Sequence, residues 1–481
     1  MSLTFTDLFC GAGGTGTGMV AAGFELKLAA NHWQRAVETH AANHRHADHL
    51  CADINQLDMR RLPRTNVLTG SPICTELSPS GGRPRGGRPA RGQLALEIEG
   101  HVPSAAFERT RATAWDLLRA AEVHRYEAVV FENVVEFVTD WELWPAYVHC
   151  WDVLGYDLQV VSWNAAHLGD DSFDPAPQDR HRVFGVATRK GIPLPDVQPR
   201  PLAWCVKCGK DVHAVQTWRN GRTVGKYRQQ YDYRCPETAC GRSLVEPYVR
   251  PAASVIDWSN LGQRIGERTK PLAASTVRRI RAGLAKFPDT RSVLTVNHSG
   301  HDGRAFPADY DVLPSRTVKI GDGLLVPCGG GRNKTASSVR DPFRTRMANP
   351  KGFEALLATP FLIEYRNHAD AAAVEEPFST VTAGGNHHGL VVPYRRGIAM
   401  PTSKPFLTMA TRDSAALVSG ASDIDDCYFR MVQPREQLLA QSFPRDYVVK
   451  GNKGEQTMQA GNAVPVNAAH WIGRRLAAAL A

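Results

Sequence analysis

Leu3-Thr-Phe-Thr-Asp-Leu-Phe9-Cys-Gly11-Ala-Gly13-Gly14-Thr-Gly16 decides the fold. Its first seven residues read as a buried strand, and Gly11 to Gly16 fit G-x-G-x-x-G before the helical-looking Met19–Ala22. Glycines at these places permit a tight turn and close approach of backbone to a nucleotide. Alone, the turn also fits a glycine loop without ligand. The acidic residue that such turns pair with about 20 positions later is missing, for the place reads Asn31-His32-Trp33.

Outward from the turn, apolar strands alternate with helical patterns. Phe24–Asn31, Asn66–Thr69, Ala128–Phe131 and Val183–Thr188 read as strands, and Trp33–Asn43 and Ala105–Val123 as helices. Such alternation implies an α/β fold with an open, mostly parallel sheet covered by helices on both faces. The 481 residues exceed one core, since chains beyond roughly 250–300 residues split into domains. Pro193, Pro195, Pro199 and Pro201 mark a boundary, which sets residues 1–195 apart. Residues 200–250 carry a cysteine cluster. Residues 255–425 are rich in Gly, Pro, Thr and Arg, and contain a repeat: Pro314-Ser-Arg-Thr, Pro342-Phe-Arg-Thr, Pro377-Phe-Ser-Thr and Pro405-Phe-Leu-Thr. The apolar segments Leu324–Pro327, Leu356–Pro360 and Leu390–Pro393 follow three of them, which suggests short stacked strands. Helical pattern returns over 426–481, at Arg435–Gln441 and Asn467–Leu480.

With 43% hydrophobic and 22% charged residues the chain has globular composition. No run of 18 apolar residues offers a membrane span, and Met1-Ser-Leu-Thr-Phe-Thr-Asp has no secretory pattern. A net charge of +9 permits a nucleic-acid partner without requiring one.

Further motifs stand in a fixed order: Asp7-Leu-Phe-Cys-Gly-Ala-Gly-Gly14, Gly70-Ser-Pro-Ile-Cys74, Phe131-Glu132-Asn133-Val134, Gln178-Asp-Arg180-His-Arg182, Arg435-Glu436 with Gln441-Ser-Phe-Pro444, and Gly461-Asn462-Ala-Val-Pro465. Over residues 1–190 and 425–481 the chain resembles the DNA cytosine-5 methyltransferases, with a variable middle in the position of their target-recognition region. The resemblance implies a Rossmann-like catalytic domain completed by the C-terminal helix, and S-adenosylmethionine as donor. Phe9, Gly11, Ala12, Gly13 and Gly14 would hold the methionine part. Trp33 would stack near the adenine, Asp53 and Ile54 would meet its edge, and Asn462 would help close the pocket.

The same resemblance makes Cys74 the nucleophile. Cytosine C5 is electron-poor, and a thiolate adding to C6 makes it enamine-like. Glu132 would protonate or hydrogen-bond N3 as the thiolate adds, which needs a carboxyl kept protonated in a closed pocket. Asn133 would orient Glu132, Arg182 with Arg180 would hold the base carbonyl and Glu132, and Gln178 would support the loop. Each residue also has an ordinary structural reading: a free cysteine as a small core residue, the glutamate as a solvated carboxylate, and the arginines in surface ion pairs worth little.

A base inside a duplex must flip out to reach such a pocket. The loop after Cys74 places Arg83, Arg85, Arg88 and Arg91 within nine residues with no acid among them, as phosphate contacts require. Glycine and proline there equally describe a solvated loop. Double-stranded DNA is the expected partner of a monomer in the cytoplasm of a bacterium or phage-infected host, in a restriction-modification, phage or regulatory setting.

Cys205-Val-Lys-Cys208 and Cys235-Pro-Glu-Thr-Ala-Cys240 have the spacing of a tetrahedral Zn²⁺ ribbon, which would supply folding energy that so short a segment lacks. His213 is a spare ligand type nearby. Lys207, Lys210, Arg219, Arg222, Lys226, Arg228 and Arg234, interleaved with Trp218, Tyr227, Tyr231 and Tyr233, suit either DNA contact or a purely structural insert.

Three departures from the family pattern stand out. Ile73 replaces a proline before Cys74, His32 stands where the ribose acid belongs, and Asp170-Asp-Ser-Phe-Asp-Pro-Ala-Pro177 precedes the arginine motif. They leave room for a modified donor such as a carboxymethyl derivative. The sequence is also compatible with a DNA-binding homologue without catalysis, and with RNA as the substrate.

Overall fold

In the computed structural model, the described residues are 2–72, 113–250, much of 252–277, short strands between 324 and 431, and 433–481. The chain divides into two compact units, one taking in Met1–Arg250 and Pro434–Ala481, the other the strands between Pro251 and Gln433.

The first unit is built on a seven-stranded sheet. Its strands are β1 (Thr4–Leu8), β2 (Glu25–Asn31), β3 (Asp48–Cys51), β4 (Val67–Gly70), β5 (Ala128–Asn133), β6 (Tyr156–Asn164) and β7 (His181–Arg189), in the order β3-β2-β1-β4-β5-β7-β6. The first five are parallel, and β7 runs antiparallel to both β5 and β6. The helices are α1 (Gly14–Ala21), α2 (Gln34–Asn43), α3 (Trp115–His124), α4 (Val135–Thr139), α5 (Trp144–Val153), α6 (Pro434–Leu439), α7 (Lys453–Asn462) and α8 (Val466–Leu480). The result is a mixed α/β architecture with a sheet that is mainly parallel.

Each face of the sheet carries its own core. Phe5, Val67, Val130 and Phe184 pack with Met19 of α1 and Trp471, Ile472 and Leu476 of α8. Leu8, Leu68, Val129 and Phe131 pack with Leu117, Tyr147 and Trp151 of the opposite layer. Each such side chain contributes about 1.5–3 kcal/mol on burial. Helix α8 closes one face because α1 has glycine where the two meet. A β-carbon on Gly18 would lie 2.5 Å from that of Ala469 and 2.6 Å from the carbonyl of Val466. Asn467 anchors α8 by donating to the carbonyls of Ala165 and Leu168 at 2.9 and 2.8 Å.

Residues 202–245 form short strands: β8 (Leu202–Cys205) with β9 (Lys210–His213), and β10 (Val215–Trp218), β11 (Tyr231–Arg234) and β12 (Leu244–Val245) as a three-stranded sheet. They share a small core of Ala203, Val212, Tyr231, Tyr233 and Val245 around the four cysteines.

The second unit contains two antiparallel sheets. One joins β14 (Leu324–Cys328), β15 (Ser337–Ser338) and β16 (Phe353–Leu356). The other joins β13 (Gln263–Arg264), β17 (Phe361–Glu364), β18 (Ala371–Ala373), β19 (His388–Val392) and β20 (Tyr428–Met431). Of the apolar members of the repeat, Leu324–Pro327 lies within β14 and Leu390–Pro393 overlaps the end of β19, whereas Leu356–Pro360 shares only Leu356 with β16 and otherwise lies outside the described residues, as do the Pro-x-x-Thr members. Tyr428–Met431, placed by sequence in the C-terminal return, is instead a strand of this unit, paired with β19 and β13.

Candidate active site

Strands β1 and β4 end level, with Leu8 opposite Gly70, and β5 runs two residues further, Gly70 lying opposite Phe131. Strand β2 leaves β1 on one side and β4 lies on the other, so the chain reverses direction across the sheet at β1. The carboxyl ends of strands at such a point form a ligand crevice.

The glycine turn occupies this edge. Phe9, Gly11 and Gly13 have φ of +60°, +53° and +93°, the left-handed region that glycine tolerates best. A β-carbon on Gly14 would overlap the carbonyl oxygen of Val464, and one on Gly13 the hydroxyl of Tyr447. That hydroxyl donates to the carbonyl of Ala12 at 2.6 Å. The C-terminal segment thus clasps Ala12, Gly13 and Gly14 from behind. At Gly11 an added β-carbon would meet only the Phe9 carbonyl, 3.9 Å away, so the turn is open there. Behind the turn, His40 is buried with its Nδ1 2.9 Å from Nε2 of His49. Burial, then His44 and His49, hold its imidazole well below the ordinary value.

The adjoining strands deliver the other proposed cofactor residues to the same edge. Trp33, partly buried, starts α2 and donates its backbone N–H to Asn31 Oδ1 at 2.9 Å. Asp53 is exposed and accepts from the Asn55 N–H at 3.2 Å, beside buried Ile54. Asn462 is exposed at the last residue of α7.

Glu132 projects from β5 opposite Phe184, three residues from where β7 begins. Its Oε1 lies 3.1 Å from Nε of Arg182, with the side chains 11% and 14% exposed. Burial pushes the Glu132 carboxyl above its ordinary value, against the pull of Arg182 and then Arg180. A carboxyl so placed carries a proton more readily than one in water, as a donor to a ring nitrogen must. A cavity of about 10 Å³ touches Glu132, Thr15, Thr69 and Ser71, joining the glutamate to the start of α1.

Two proposed residues face elsewhere. Asn133 donates from Nδ2 to the carbonyl of Pro72 at 3.2 Å and accepts from the Val134 N–H at 2.8 Å, so it pins the start of the loop leading to Cys74. Arg180 is buried and donates to the carbonyls of Gly461 and Ala463 at 3.2 and 2.8 Å, so its guanidinium holds the α7–α8 junction. Gln178 is buried. Cys74, Arg83, Arg85, Arg88 and Arg91 lie outside the described residues. The unusual segment at 170–177 turns toward α8, where Phe173 stacks on His470 with ring centroids 4.9 Å apart.

Sequence reasoning passed over Tyr447, His40 and Glu136, and read Lys226 only as one basic residue of the cysteine-bearing segment. No motif marks them, for each acts through a partner distant in the chain. Only the glycines gave a signal, since a residue without a β-carbon implies something packed against it.

The family model for C-5 cytosine-specific DNA methylase matches residues 3–203 and 344–478. The chain belongs to this family. The methylase is 30% identical over 483 residues to the Type II methyltransferase M.AgeI of Thalassovita gelatinovora, covering 95% of each chain. It is 33% identical over 189 residues to the Type II methyltransferase M.HgiDI of Herpetosiphon aurantiacus, covering 38% of this chain and 52% of that one. Against the solved S. pombe Dnmt2 methyltransferase it gives a TM-score of 0.47 at 11% identity, covering 99% of this chain and 98% of the other.

The four cysteines of the methylase come together. Their sulfurs all lie within 4.8 Å of one another, with Cys205–Cys240 at 4.0 Å and Cys208–Cys235 at 3.8 Å. Zinc–sulfur bonds of about 2.3 Å place tetrahedral sulfurs about 3.8 Å apart. Ser243 bonds the Cys240 sulfur at 3.5 Å, and its backbone and hydroxyl hold that thiol below its ordinary value. The donor set therefore fits a thiophilic divalent ion. His213 points to the Arg200 carbonyl, 3.3 Å from Nδ1. Among the described residues no helix is long and apolar enough to cross a membrane.

Proposed function

We propose that the chain methylates C5 of a flipped cytosine in duplex DNA, with S-adenosylmethionine as donor and Cys74 as nucleophile. The observation that carries this reading is the desolvated Glu132–Arg182 pair at the carboxyl edge of the sheet, beside the glycine turn and the start of the Cys74 loop. The left-handed turn, open at Gly11, with Trp33, Asp53 and Ile54 on neighbouring strand ends, fits a nucleoside with an amino-acid tail. When bound, S-adenosylmethionine supplies an electrophilic methyl group.

The protein's own groups do the rest. The Cys74 thiolate forms a bond to C6, the C5–C6 π electrons move to form a C4–C5 double bond, and the C4–N3 π pair takes the proton of Glu132 at N3. Arg182 fixes the carboxyl for that transfer. After C5 has gained its methyl group it loses a proton to a base, the sulfur–C6 bond breaks, and N3 returns its proton to Glu132. Asn133 and Arg180 act at one remove, by holding Pro72 and the α7–α8 junction. The arginines after Cys74 suit phosphate contact, and the unit between Pro251 and Gln433 suits target recognition by position. A structural zinc ion on Cys205, Cys208, Cys235 and Cys240 completes the assignment.

The test is nucleoside mass spectrometry of duplex DNA incubated with the purified protein and S-adenosylmethionine. The expected product is 5-methylcytosine, absent with Cys74→Ala. Unmodified DNA, a heavier adduct, or full activity in Cys74→Ala would each refute the assignment.

A further inference from the structure

The cysteine-bearing segment reaches the catalytic strands at two places. The loop between β10 and β11 sends Lys226 to Glu136 in the first turn of α4, with Nζ–Oε1 at 2.7 Å. Glu136 is buried, its side chain 6% exposed, and lies four residues after Glu132. Elsewhere a groove of about 670 Å³ separates α4 from this loop, lined by Val135, Asp140, Arg222 and Gln230; the ion pair spans it.

The second contact is on β6. Ser162 accepts from the Gly225 N–H at 3.0 Å through its hydroxyl, and from Gln216 Nε2 at 3.1 Å through its carbonyl. Ser162 pairs with Val183, which pairs with Asn133, while the next residue, Trp163, pairs with Arg182. Just beyond, buried His167 meets Tyr227 and Tyr233 edge-on, with centroids 4.7 and 5.3 Å away. Its turn follows Asn164, whose Oδ1 accepts from the Arg180 N–H at 3.0 Å. The loop and the strands flanking it therefore brace the helix that follows the Glu132 strand and the strand β6 that pairs beside Arg182. Strand β11, at the base of that loop, runs directly into Cys235.

We infer that Lys226 is a positioning residue for the methylation reaction, and that the cysteine-bearing segment is a strut of the active site. The inference rests on the assignment of Glu132 as the proton donor. A buried ion pair stabilises little against an apolar pair of equal volume, yet removal of one partner leaves a buried charge that must move. Loss of Lys226 would shift α4 and admit water beside Glu132. Among the described residues the charged groups facing Glu132 are Arg182 and Arg180. Burial is the largest influence raising its carboxyl, so hydration lowers it.

The experiment compares Lys226→Met, Lys226→Arg and the swap Lys226→Glu/Glu136→Lys in the full chain. It measures kcat, KM for duplex DNA and the pH profile of kcat. For Lys226→Met, kcat should fall about 10- to 100-fold, the cost of a misplacement near 1 Å, with KM for DNA little changed. The alkaline limb of kcat should move to lower pH, and either Lys226→Arg or the swap should restore it. An unmoved limb in Lys226→Met, or a moved limb that neither variant restores, overturns the inference. Glu132→Gln is assayed in parallel. Full activity there refutes the proton-donor assignment itself, whereas an inactive Glu132→Gln beside an unaltered Lys226→Met refutes the strut alone.

Discussion

Replacement of Arg182 by methionine tests the core of the site. At 3.1 Å and an effective dielectric of about 20, the Arg182–Glu132 attraction is about 5 kcal/mol before desolvation. Breaking a buried pair by removing one partner costs about 3–5 kcal/mol when the other remains charged. Burial already holds the folded Glu132 value above the ordinary 4.5, with Arg182 the larger of two opposing cations. The native state therefore binds the extra proton. Stability on this account is fully present below the unfolded value and falls as pH rises through the folded one. Without Arg182 the folded value climbs further, so the fall extends to higher pH. Urea unfolding of Arg182→Met should show a loss of about 3–5 kcal/mol at high pH, where Glu132 is charged, and about 1 kcal/mol at low pH, where it is protonated and only a hydrogen bond is lost. In turnover, kcat should drop about 10²–10⁴-fold, the usual worth of a positioned acid, and its alkaline limb should move upward. This is opposite in sign to the shift expected for Lys226→Met. Equal destabilisation at the two pH values, or a limb that stays or moves down, would refute the reasoning.

Three further outcomes follow from the geometry. Gly14→Ala forces a β-carbon onto the Val464 carbonyl and should cost about 1–3 kcal/mol, with weaker S-adenosylmethionine binding by calorimetry. Asp7 is buried, with burial raising its carboxyl to about 7 against the Thr69 hydrogen bond. Its charge destabilises the fold as pH rises from about 4 through 7. Asp7→Asn should flatten that dependence and add up to roughly 4 kcal/mol near pH 8 in urea titrations; an unchanged slope would contradict it. Cys240→Ser should lower bound zinc from one ion per chain by elemental analysis, and lower the melting temperature; zinc-free protein with normal melting would exclude a structural metal.

The parallel half of the sheet was legible because strands buried on both faces read as short apolar runs next to glycine turns, as at Leu3–Phe9 and Ala128–Phe131. Strand β6 was missed because Tyr156-Asp-Leu-Gln mixes polar and apolar residues on an antiparallel strand covered unevenly. Helix α7 escaped because Lys453–Asn462 has two glycines and little apolar periodicity; its one local sign is the capping box between Asn452 and Glu455. In the site, the Glu132–Arg182 pairing followed from motif order. The turning of Asn133 to Pro72 and of Arg180 to Gly461 did not, since side-chain direction depends on tertiary contacts that spacing does not encode.

The packing of α8 on α1 has a consequence for biosynthesis. The Gly18–Met19 surface of α1 has its partner only when Val466–Leu480 has been made. At about 5–20 residues per second, some tens of seconds pass between the two on the ribosome. During that interval the nascent sheet shows one apolar face. Expression of residues 1–250 and 434–481 as separate chains should therefore restore a folded sheet by association, and chains interrupted before residue 466 should aggregate or recruit chaperones.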